Sequence, residues 1–152
     1  MLHDFDLRGN RVRFWQRTGE SYEHILMKAL GFAMFVDEFP HLEIEKKVGL
    51  RYKPDLVAQN INGAFEFWGE AGSNAVTKTL WLLKHAKVEK LALFKIYQNA
   101  YQLSGELREE IPAKYRANER LTLINFVPNI VQLTQTKKID FVKPEWFEET
   151  KI

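Results

Sequence analysis

The chain has 152 residues, a length that fits one domain able to bury most of its apolar surface without staples. It contains no cysteine, which excludes disulfides, thiolate nucleophiles and cysteine-ligated zinc. A net charge of +2 argues against a polyanion binder acting through bulk charge, and the longest apolar run, Leu30 to Val36, is far short of the roughly 18 residues a spanning helix needs.

The amino end, MLHDFDLRGN, is acidic and mixed, with no basic-then-apolar leader pattern. The expectation is a soluble, cytoplasmic, single-domain protein over 1–152, with no membrane partner. Residues 12–17 (VRFWQR) predict a first strand. TGES at 18–21 then offers hydroxyl caps and an early acid, and the apolar residues at 22, 25, 26, 29, 30, 33 and 36 predict a helix to about Val36 with one core face. LEIEKKV at 42–48 predicts a poorly buried strand, and 54–59 with 64–70 predict a hairpin. SNAVTKTLWLLKHA at 73–86 reads as a helix with a Ser/Asn cap, KLALFKIY at 90–97 as a strand, and 98–111 as a short helix stopped by Pro112. RLTLINFV and NIVQLTQ read as late strands, followed by a looser tail. Hairpin strands joined to a helical crossover imply a mixed α/β fold, a central mixed sheet with helices packed on it.

The hairpin PDLVAQNINGAFEFWGE carries the chemistry. Side chains alternate along a strand, so the loop length fixes which acids share a side. Asn62-Gly63 as a two-residue turn, which its local chemistry favours, sets Asp55 opposite Glu70 and leaves Glu66 too distant. Asn60 to Gly63 as a four-residue loop sets Asp55 opposite Trp68, diagonal to both Glu66 and Glu70. A three-residue bulged loop sends the acids to the opposite face from Asp55. In the first two registers one face holds Lys53, Asp55, Val57, Gln59, Glu66, Trp68 and Glu70, while Leu56, Ala58, Phe65 and Phe67 form core. Carboxylates facing one another repel unless a divalent cation or a buried base compensates them.

Two stretches are rich in cations. RGNRVRFWQR at 8–17 holds four arginines and no acid, and EKKVGLRYK at 45–53 holds a single acid. Arg13, Arg17 and Lys53 are therefore candidates for nucleic-acid phosphates. The histidines at 3, 24, 41 and 85 lack metal-ligand spacing; packing on helices explains His24 and His85. Trp15, Trp81 and Trp146 read as core.

ESYEHILMKALGFAM at 20–34, KPDLV at 53–57 and NGAFEFWGEAG at 62–72 together resemble the YaeQ family, with Gly63, Glu66, Trp68, Glu70 and Gly72 at its return-strand positions. That family is placed in the PD-(D/E)XK nuclease-like superfamily, whose restriction-endonuclease-like αβββαβ core matches the order read above. The resemblance implies a magnesium- or manganese-dependent phosphodiesterase acting on DNA or RNA. It implies Asp55 and Glu66 as the catalytic, metal-binding acids, with Glu70 as the other return-strand ligand and Glu20 or Glu23 joining from the first helix. The motif lysine two residues after the second acid is replaced by Trp68. Lys78, on a flank of the next helix, is the first candidate to supply it and Lys53 the second. Without that lysine, the alternative is a non-catalytic nuclease fold serving as a binding or interaction module.

Overall fold

The computed structural model describes residues 1–152. Two strands come first, β1 (Leu2–Leu7) and β2 (Asn10–Trp15), joined by Arg8 and Gly9 in left-handed backbone. Sequence reading anticipated only the second, yet His3, Phe5 and Leu7 alternate inward along the first as a half-buried strand requires. Helix α1 (Tyr22–Phe35) is capped by Ser21, whose Oγ accepts the His24 N–H at 3.1 Å. Then come β3 (Glu43–Ile44), much shorter than expected, the hairpin β4 (Leu56–Gln59) and β5 (Phe65–Ala71), helix α2 (Val76–Lys84), β6 (Leu91–Ile96), α3 (Ala100–Glu110), α4 (Ala113–Arg116) and β7 (Leu121–Phe126). Helix α2 starts at Ala75 without a side-chain cap, so the expected Ser/Asn cap does not form.

Two late expectations are corrected. NIVQLTQ is not a strand: Ile130–Leu133 form the helical turn α5, closed by Thr134 Oγ1 donating to the Ile130 carbonyl at 2.8 Å. The tail is not loose. It supplies β8 (Lys138–Ile139) to one sheet and β9 (Phe147–Lys151) to the edge of another, where backbone pairing suffices without hydrophobic alternation.

The main sheet has six strands in the order β3-β4-β5-β6-β7-β9; β5, β6 and β7 run parallel and the other pairs antiparallel. A three-stranded sheet, β2-β1-β8, lies apart. One apolar cluster joins that small sheet, α1 and one face of the main sheet, including Phe5, Phe14, Leu30, Leu56, Phe67 and Phe94. Helix α1 is therefore covered on both sides and buries nearly its whole circumference, more than the single core face its sequence period suggested. Gly31 permits the close crossing: a Cβ there would meet the Phe94 ring at 2.7 Å and Leu56 at 2.8 Å. A second cluster, with Val57, Trp68, Leu91 and Leu123, packs under α2 and α3 on the other face. Trp15, expected in the core, is 54% exposed at the end of β2.

Candidate functional site

The hairpin pairs Leu56 with Gly69, Val57 with Trp68 and Ala58 with Phe67, but Gln59 with Phe65. Glu66 is therefore an extra residue in β5, a bulge. Past it, the Asn60 side chain accepts the Asn62 and Ala64 N–H groups at 2.9 and 3.0 Å, and the Asn60 N–H donates to the Ala64 carbonyl at 2.9 Å. The loop is thus longer than the two-residue turn, while the strand body keeps the pairing that turn implied, and its continuation sets Asp55 opposite Glu70. Two face assignments change. Phe65 crosses the sheet to join Val57 and Trp68, and the Trp68 face is buried beneath α2.

Asp55 and Glu70 meet where β5 passes from an antiparallel to a parallel neighbour. The Ala71 N–H donates to Asp55 Oδ2 at 2.8 Å, which fixes the carboxylate across the strand gap. Glu70 Oε1 accepts from the buried Trp68 indole at 2.8 Å and faces Lys78 Nζ from α2 at 3.1 Å. Burial and the Asp55 charge push the Glu70 carboxyl up to about 7; the indole and Lys78 only partly offset them. Burial also opposes ionisation of Asp55, but His24 and the Ala71 amide outweigh it and hold its pKa down. The two neighbouring acids are thus pushed apart in pKa, as at many acid–base sites.

Helix α1 braces Asp55 with a polar row. His24 Nε2 donates to the Ala71 carbonyl at 3.0 Å and lies 3.6 Å from Asp55 Oδ2, while Nδ1 contacts Glu20. Both ring nitrogens face acceptors, so the doubly protonated imidazolium fits, and contact with Asp55 raises its pKa despite burial. Lys28, 1% exposed, bridges Glu20 at 2.8 Å and Glu45 at 2.5 Å. Burial disfavours the Glu20 carboxylate, but donors from Lys28, the Arg17 backbone and His24 bring it down to about 2. Sequence reading missed His24 and Lys28. The signal was present: His24 and Lys28 are four residues apart on one face of α1, with Glu20 four residues before His24, just ahead of the cap.

The remaining candidates disperse. Glu66 lies four residues along β5 from Glu70, roughly 13 Å by strand rise, and faces the half-exposed His41 at 3.4 Å. Glu23 is exposed in the first turn of α1. The proposed acid set is accordingly not brought together as a whole; the structure joins Asp55 to Glu70, with Glu20 one histidine removed. Arg13 is exposed and bound to Asp4 at 2.8 Å, Arg17 is exposed just before α1, and Lys53 is exposed two residues before Asp55. Two residues beyond Glu70 stands Gly72, whose φ of 84° takes the chain out of the strand.

No three histidine, aspartate or glutamate side chains gather in a geometry that would hold a metal ion by themselves. Asp55 and Glu70 nonetheless offer hard oxygen donors of the kind Mg2+ takes, since that ion is commonly held by one or two carboxylates with water and substrate phosphate oxygens filling its shell. The donor chemistry fits.

Fold and site define a mixed α/β protein with a buried acid pair at the junction of its antiparallel and parallel strands. That architecture is similar to the crystal structure of the YaeQ protein from Xanthomonas axonopodis pv. citri, with a TM-score of 0.61 and 19% identity, covering 86% of this chain and 70% of that one. It is likewise similar to the YaeQ protein from Pseudomonas syringae, with a TM-score of 0.62 and 12% identity, covering 99% and 87% of the two chains. At these identities the likeness shows a shared fold. No protein-family model and no curated protein matches the sequence. No helix is long and apolar enough to cross a membrane.

Proposed function

We propose that the chain is a PD-(D/E)XK-type phosphodiesterase, dependent on Mg2+ or Mn2+ and acting on DNA or RNA. The observation that carries this reading is the opposition of Asp55 and Glu70, with Lys78 3.1 Å from Glu70. A bound divalent ion would activate a water and neutralise charge on the phosphate. Asp55, kept ionised by His24 and the Ala71 amide, and Glu70 would hold that ion. Lys78 would aim a cation at charge developing on the phosphoryl oxygens. The segment 45–53 begins with Glu45 donating its N–H to the Asp55 carbonyl at 2.9 Å, and Lys46, Lys47, Arg51 and Lys53 along it are exposed. Such cations suit a phosphate backbone.

The test is cleavage of DNA and RNA by purified protein in Mg2+ or Mn2+, comparing wild type with Asp55→Ala and Lys78→Met. Metal-dependent cleavage lost in Asp55→Ala is the expected result. An inert wild type, or equal cleavage by Asp55→Ala, overturns the reading.

A second reading has its own observation. Both acids already have cationic partners, His24 for Asp55 and Lys78 for Glu70. With those charges compensated internally, the fold would bind nucleic acid without cutting it. Calorimetry with Mn2+ separates the two: binding lost in Asp55→Asn and Glu70→Gln favours the enzyme, and no binding favours the module.

A further inference from the structure

A cleft of about 490 Å3 lies where β5 and β6 end, between the first turns of α1 and the start of α3. Its walls include Glu23 and Met27 of α1, Ser73 and Asn74 after β5, and Lys95 and Gln98 at the end of β6. The carboxyl ends of strands, with helices on opposite faces, are where open α/β sheets take their ligands.

Two hydrogen-bond donors there have too few acceptors. Lys95 is only 8% exposed, enters no salt bridge, and donates to one acceptor, the Gly72 carbonyl, although an ammonium carries three protons. Asn74 Nδ2 is buried with no partner at all. Buried donors left in this state destabilise the fold unless something accepts from them. The single acid on the walls, Glu23, is exposed.

We propose that this cleft is a phosphate-binding subsite, in which the Lys95 ammonium and the Asn74 amide donate to the oxygens of a phosphate group in a nucleic-acid backbone. The choice of a backbone phosphate among oxyanions rests on the nuclease-type reading above; the unsatisfied donors do not. Lys95 is anchored at Gly72, two residues beyond Glu70, so the bound group is a neighbour of the phosphate that the acid pair would address. Gln98 and Ser73 add neutral donors on the same walls.

The experiment reads fluorescence anisotropy of a labelled single-stranded oligonucleotide in EDTA, so that no metal-dependent step enters. Wild type, Lys95→Met and Asn74→Leu are compared, each with its melting temperature, and inorganic phosphate serves as competitor. Lys95→Met is expected to weaken binding about tenfold and Asn74→Leu about threefold, in line with the loss of a charged and a neutral hydrogen bond. Lys95→Met should melt at or above the wild-type temperature, because it removes an under-satisfied buried ammonium. Competition by millimolar phosphate supports a site that accepts the free ion as well; Lys95-dependent binding without competition supports one that needs the diester backbone. The proposal is overturned if wild type does not bind, or if Lys95→Met binds equally. It is also overturned if that variant melts lower while binding is kept, which would make Lys95 merely a clamp on Gly72. Intact Lys95-dependent binding with no cleavage in Mg2+ would sink the nuclease reading alone.

Discussion

Glu66 and Glu70 sit on one strand, four residues apart, with opposite surroundings. At the turn end of the hairpin, Glu66 is a bulge residue beside the half-exposed His41, next to a loop held by the Asn60 side chain. At the far end the pairing is regular, and Glu70 is 3% exposed, bound to Trp68 and Lys78 across from Asp55. One extra residue therefore separates an acid that solvent can screen from one the core cannot. Spacing along a strand nominates two acids equally; pairing across the strand chooses between them.

The comparison can be tested by substitution, and the largest effect is expected at Trp68. Trp68→Ala empties a fully buried site and removes the Glu70 hydrogen bond, so urea unfolding should show a loss of about 3–5 kcal/mol. A loss below about 1 kcal/mol would mean the far end is not the rigid one.

Glu70→Gln comes next. The Glu70 pKa is about 7 when folded against 4.5 as the ordinary value, so its contribution to stability is complete below pH 4.5 and is lost as pH rises through 7. The glutamine variant escapes that loss. It should exceed wild type at pH 8 by on the order of 3 kcal/mol at most, because each tenfold change in proton affinity between the folded and unfolded chain is worth about 1.4 kcal/mol. Near pH 4 the two proteins should be equally stable. Urea midpoints at the two pH values check this; a variant less stable than wild type at pH 8 would refute the burial-driven rise.

Asn60→Ala should cost about 1 kcal/mol through two loop hydrogen bonds, read from the same denaturation curves. Glu66→Gln, at a partly exposed bulge position, should change stability by no more than about 0.5 kcal/mol in the same urea curves. A loss above about 1 kcal/mol there would erase the contrast between the two acids.

Much of the sheet was legible in the residues. LALF at 91–94 is a continuous apolar run, as a parallel strand buried on both faces requires, and Ser21 announced the start of α1. The Asp55–Glu70 opposition was one of the registers left open. It could not be decided because the alternation Phe65-Glu66-Phe67 runs unbroken through the bulge, and Asn62-Gly63 favours a tighter turn than the one that forms. Lys78 was nominated from its position on a helix flank and lies beside Glu70. His24 was passed over because its partners are acids brought in from two elements, one of them 31 residues away in sequence. The strand Phe147–Lys151 was illegible for a different reason: FEETK has no apolar face to read, and its place is set by the β7 edge it completes.

The small sheet has a consequence for the order in which the molecule can assemble. Strand β1 pairs in parallel with β8, Asp6 beside Lys138 and Leu7 beside Ile139. A segment made early in synthesis therefore waits for one made far later before its hydrogen bonds are complete, and Ile139 joins the α1 cluster only then. Contacts this distant in sequence slow folding through the entropy of closing the intervening chain. During synthesis the nascent β1–β2 hairpin keeps one strand edge unpaired, the edge that Lys138 and Ile139 later fill.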